Sequence, residues 1–120
     1  MSDRDAYATA VLTLYGELPD TPRQMSAADR WLAHRFHAEG VPVAVVQAAL
    51  LLGSLRRMLR PVNAPPLAPV RSLAYFRPVV EELRGHTAPD GYRDYLRLKL
   101  RQVWGTGAAD VQISTFSDDR

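Results

Sequence analysis

The chain has 120 residues, no cysteine and a formal net charge of +2. That length suits one domain with a single core, and the missing thiols exclude disulfides, thiolate metal sites and a cysteine nucleophile. The start, MSDRDAYATAVLTLYG, lacks the apolar stretch of a signal peptide, and the longest apolar run, Ala48 to Leu52, is far short of the ~20 residues of a membrane span, so no membrane association and a cytoplasmic location are expected.

The first predicted helix covers Asp5 to Leu18, where Ala6, Ala10 and Leu14, and Tyr7, Val11 and Leu14, recur at helical spacing. Ser2 and Asp5 have the spacing of a capping box. Pro19 to Pro22 form a rigid connector. The second helix runs from Ala27 to Glu39, with Ser26 and Asp29 as its capping box and Gly40 as the left-handed stop. Trp31, Leu32 and Phe36 are its core candidates.

The third helix, Pro42 to Arg60, begins on a proline that a first turn tolerates and ends before Pro61. Its middle is apolar nearly all round, which predicts a central, buried helix. Gly53 marks close packing by a neighbour. Pro61 to Pro69 carries four prolines in nine residues, so it is expected to be extended and laid over the surface. The fourth helix follows Ser72, and Pro78 either kinks it or starts it. The fifth spans Gly91 to Trp104, with Asp90 as a cap and Gly105 after its end. Residues 105–120 are expected to form an irregular tail, within which Val111 to Phe116 alternate weakly. The expectation is all-α: a compact single-domain bundle of about five helices, residues 1–104, with a proline-rich connector.

Charge is spread unevenly over these elements. Residues 1–22 carry a net of −3, residues 23–60 +4, residues 61–101 +3 and residues 102–120 −2. Fourteen of the fifteen basic residues are arginine. Its planar fork suits phosphates and carboxylates, although a GC-rich coding sequence would give the same bias.

Two arginine groups stand out. Arg56, Arg57 and Arg60 close the third helix, where they either complement its dipole or contact phosphate. Arg93, Arg97 and Arg101 recur every four residues on the fifth, as a solvated row or a phosphate-binding stripe. Lys99 broadens that surface. Tyr92 and Tyr95 flank it, either to stack on unpaired bases or to fill a core edge.

Other chemistries have less to stand on. His34 and His37 lie three apart, but the HExxH pattern of a helical zinc site is absent. No metal, cofactor or catalytic residue is therefore assigned. Glu81 and Glu82 are adjacent and face different ways, and no nucleophile elbow or phosphate-cradling glycine loop is present. The pattern reads as binding and not as an enzyme.

The segment from Trp31-Leu32 through Gly40 to Val45, Val46 and Ala49, followed by Arg71-Ser72-Leu73-Ala74-Tyr75-Phe76 with Pro78 and Val80, resembles the helical module of DnaD-like replication proteins and related phage and plasmid replication initiators. The resemblance covers residues 26–84. It implies DNA binding and assistance in helicase loading or origin remodelling, with Tyr75 and Phe76 matching a chiefly structural aromatic pair. The expected partner is thus nucleic acid, DNA before RNA, for an accessory role in replication or in a mobile element. The alternative is a helical protein–protein interaction subunit or adaptor, or a homo-oligomer, without nucleic-acid binding.

Overall fold

The computed structural model of the chain describes residues 2–86 and 90–109, the last five of these by backbone only. The described residues are helical and contain no strand. The elements are α1 (Asp3–Glu17), α2 (Ala27–Ala38), α3 (Val43–Met58), a 3-10 turn (Leu73–Phe76), α4 (Arg77–Arg84) and α5 (Tyr92–Ala109).

Local chemistry sets the boundaries. Ser2 Oγ accepts the Asp5 backbone N–H at 3.1 Å and opens α1. At α2 the box is reciprocal: Ser26 Oγ accepts from Asp29 N at 3.0 Å, and the Asp29 carboxylate accepts from Ser26 N at 3.2 Å. Gly40, at φ 77°, makes the turn out of α2 that a side chain would strain. Pro42 then caps α3, where a missing N–H costs nothing.

The third helix is the axis of the bundle. It packs against α1, α4, α5 and the 3-10 turn, while α1 covers α2. Val46, Ala49, Leu50 and Leu51 on α3 are buried together with Val11 and Tyr15 of α1, Phe36 of α2, Leu73 and Phe76 of the turn and Val80 of α4. Gly53 is required by the close approach of the turn: a Cβ there would stand 2.7 Å from Phe76 Cδ1.

Asp29 does a second job. Only 2% exposed, it also accepts the Leu73 N–H at 2.9 Å. One carboxylate therefore fixes both the start of α2 and the start of the 3-10 turn. A buried acid is tolerable when its oxygens are hydrogen-bonded in this way.

Three expectations need correction. Trp31, a core candidate by spacing, is 62% exposed; Leu32, Ala33 and Phe36 fill the buried side of α2, and Trp31 instead lies beside Arg35, whose guanidinium sits 5.9 Å from its ring. The fourth helix does not begin directly after Ser72, which makes no side-chain cap and precedes a single 3-10 turn; of the two alternatives for Pro78 the structure has the second, since it stands in the first turn of α4 and starts that helix. Gly105 does not end α5, which runs on to Ala109; residues 110–120 of the expected tail lie outside the described residues. The alternating stretch Val111 to Phe116 lies outside the described residues. The connector from Pro61 to Pro69 has no regular element and is largely exposed, as its prolines dictate.

Candidate nucleic-acid interface

The arginines that close α3 are held by bonds within the chain. Arg56 grips Glu82 of α4 with both terminal nitrogens, at 2.8 and 2.7 Å. This bidentate bond draws the Glu82 carboxyl below the usual carboxylate range and tightens the Arg56 proton. Arg57 reaches three segments at once. It donates to Tyr75 Oη at 3.1 Å, to Asp20 at 2.9 Å and to the Ala68 carbonyl at 3.0 Å, and its guanidinium lies 5.2 Å from the Tyr75 ring. Its side chain is 9% exposed. Arg60 donates to the Pro65 carbonyl at 2.8 Å and so holds the connector over the end of α3.

The row on α5 has different surroundings. Arg93 donates to the neutral amide oxygen of Gln47 near the start of α3. Arg97 is half-buried, and Lys99 and Arg101 are exposed. Among the described residues no acidic side chain lies within ion-pair distance of Arg93, Arg97, Lys99 or Arg101. The helix presents Leu96 and Leu100 to the core and half-buries Tyr92 and Val103, which leaves the arginine row on one flank.

Lys99 and Tyr95 lie on the opposite flank, because residues two apart on a helix face nearly opposite ways. Tyr92 packs against the core and lines a cleft of about 420 Å³ with Val45, Ala48, Leu83 and His86. Tyr95 is 55% exposed. Of the two tyrosines expected to flank the row, one is thus a core-edge residue and the other points away from the arginines.

The two arginine groups sit at different heights. Gln47, which holds Arg93, is ten residues before Arg57, about 15 Å along the α3 axis. Helices α3 and α5 run in the same direction, since Arg93 meets Gln47 and Trp104 shares a cleft with Ser54 and Met58. The later part of the α5 row therefore approaches the end of α3. Trp104, three residues past Arg101, falls on the same flank and is 43% exposed. Its position in the row was available from the spacing alone. The partners that hold the α3 group, Asp20, Pro65, Ala68, Tyr75 and Glu82, were not, because each comes from a segment distant in sequence.

His34 and His37 are half-buried and His86 is exposed. His37 meets Tyr7 edge-on at 5.0 Å, and His34 Nε2 stands 3.9 Å from Asp5. Among the described residues no group of three or more histidines and acids is placed to hold a metal ion. Glu39 instead gathers arginines: Arg35 at 2.9 Å, and Arg77 and Arg84 at 3.4 Å. The Arg35 bond, then Arg77, hold its carboxyl below the usual range. No helix is long and apolar enough to cross a membrane among the described residues. No protein-family model, curated protein or solved structure matches the chain significantly.

Proposed function

We propose that the chain binds nucleic acid, DNA before RNA, through the arginine flank of α5, as an accessory protein of replication or of a mobile element and not as an enzyme. The observation that carries this reading is the row Arg93, Arg97 and Arg101 on an edge helix, free of acidic partners among the described residues. Arginines one turn apart track a phosphate backbone, and each neutralised phosphate releases a counterion. The resemblance over residues 26–84 to replication proteins leans the same way. On this reading Arg56, Arg57 and Arg60 build the domain and the α5 row meets the ligand.

A filter-binding assay at two ionic strengths tests it. Three phosphate contacts predict a log–log salt slope of about −2 to −3. Charge reversal at Arg97 and Arg101 together abolishes binding while the helical circular dichroism is kept. Retention of binding by that variant defeats the proposal.

Exposed Tyr95 and Leu98, three residues apart on the outer side of α5, favour a second reading, a protein-interaction helix. An apolar interface of that kind holds its affinity as salt rises, whereas phosphate binding weakens steeply.

A further inference from the structure

At the end of the α5 row lies a cleft of about 430 Å³, within the range of small-molecule sites. It is lined by Trp104 of α5, by Arg57 and Arg60 at the end of α3, and by Pro65 and Leu67 of the connector. Ser54, 1% exposed, also lines it. The Ser54 hydroxyl is buried and has no hydrogen-bond partner among the described residues. A buried polar atom left unpaired costs stability, and buried unpaired groups of this kind call for an explanation.

Resting on the nucleic-acid reading above, we infer that this cleft receives an unpaired base of a single-stranded nucleic acid, stacked on Trp104, while the α5 row carries the adjoining phosphates. Four features converge on that ligand. The aromatic ring is half-exposed and lies in register with Arg97 and Arg101, so a strand tracking the row arrives at it. Beside the charged Asp20, Arg57 and Arg60, the lining consists of proline rings, Met58 and Leu67, whose apolar surfaces suit the faces of a base. Arg57, paired with Asp20, and Arg60 are fixed in the wall by their bonds to Asp20, Tyr75 and the Ala68 and Pro65 carbonyls, so the shape of the cleft is in place before the ligand arrives. The Ser54 hydroxyl supplies both a donor and an acceptor for a base edge. A duplex offers no free base for such a site, because its bases are stacked and paired.

The test uses the full chain with Trp31→Phe, which leaves Trp104 as the single tryptophan. Oligo-dT, oligo-U, an abasic strand of the same length and a duplex are titrated against its fluorescence at low salt. Quenching by oligo-dT or oligo-U, with none from the abasic strand or the duplex, is the expected result. In filter binding, Trp104→Ala lowers affinity for the quenching strand about tenfold and leaves that for the abasic strand unchanged. Ser54→Ala lowers it severalfold in the same selective way. Binding of bases and abasic strand with equal affinity, or binding without a change at Trp104, overturns the inference and leaves the α5 reading intact. Quenching by a proline-rich peptide but by no oligonucleotide assigns the cleft to a protein ligand and overturns it too. Failure of every oligonucleotide to bind removes both.

Discussion

The end of α3 and the flank of α5 each carry three arginines and set them in opposite surroundings. Arg56, Arg57 and Arg60 reach across to α4, to the end of α1 and to the proline connector. Arg93, Arg97 and Arg101 meet one neutral amide and, among the described residues, no acid. The difference lies in what the fold brings to each row. A central helix is surrounded, so its terminal cations find carboxylates and carbonyls to hold. An edge helix has one neighbour along its length, so its outer cations remain available. A row of arginines is therefore evidence of binding only once its position in the bundle is known.

The largest expected effect concerns the frame on which Arg57 depends. Tyr75, its partner, belongs to a 3-10 turn whose first N–H is held by Asp29. Asp29→Ala leaves the Leu73 and Ser26 N–H groups without their acceptor and removes half of a capping box. A loss of about 2–4 kcal/mol is expected in urea denaturation. Next comes Arg57→Ala, which cuts three hydrogen bonds to three segments at a side chain 9% exposed. About 1–3 kcal/mol is expected. A double-mutant cycle with Tyr75→Phe isolates the Arg57–Tyr75 share and should show coupling. A neutral Arg57→Ala would place the α3 group with the α5 group and erase the contrast.

The α5 row is predicted to behave in reverse. Arg97→Ala and Arg101→Ala change stability by no more than about 0.5 kcal/mol each. Each lowers the magnitude of the salt slope for nucleic-acid binding by about one. Loss of stability without a change in slope would make that row structural.

Much of the fold was legible in the chain. The capping box at Ser26, the stop at Gly40 and the apolar girth of α3 are short-range or compositional signals, and each marked its element. Trp31 was misjudged because helical spacing says which residues share a side, not how wide the buried side is; Ala33, small and buried, takes the place that the larger residue was given. Gly105 has the place of a helix stop, but glycine weakens a helix by only about 1 kcal/mol and does not forbid it. At the candidate site the α5 row was visible because it depends on one helix. The capture of Arg56 and Arg57 was not, since Glu82 and Asp20 are 26 and 37 residues away in the chain. The orphan hydroxyl of Ser54 belongs to the same class: only the packed end of α3 shows that it has no hydrogen-bond partner among the described residues.

The smallest effects come from pH, and they separate the two regions by charge type. The Glu82 and Glu39 carboxyls are held low by Arg56 and by Arg35. A depressed folded pKa contributes stability that is fully present above the unfolded value, about 4.3, and is lost as pH falls through the folded one. Melting temperature should therefore decline below about pH 4, and Glu82→Gln should remove part of that slope. The α3 ties loosen in that window, whereas the α5 row leans on no carboxylate among the described residues. Binding by the still-folded fraction should persist in that window. At the other extreme, burial first, reinforced by Asp29, pushes the Tyr15 hydroxyl up to about 12, and burial does the same at Tyr7. A raised folded pKa contributes stability that is intact below the unfolded value, about 10, and is lost as pH rises through the folded value. Stability should thus fall between about pH 10 and pH 12. Tyr15→Phe tests it cleanly, because the Tyr15 hydroxyl has no partner among the described residues. At pH 7 that variant should match the parent within about 1 kcal/mol, and between pH 10 and 12 its denaturation midpoint should fall less steeply. A slope unchanged by Tyr15→Phe would assign the alkaline loss to Tyr7, whose hydroxyl donates to the Val41 carbonyl at 2.6 Å.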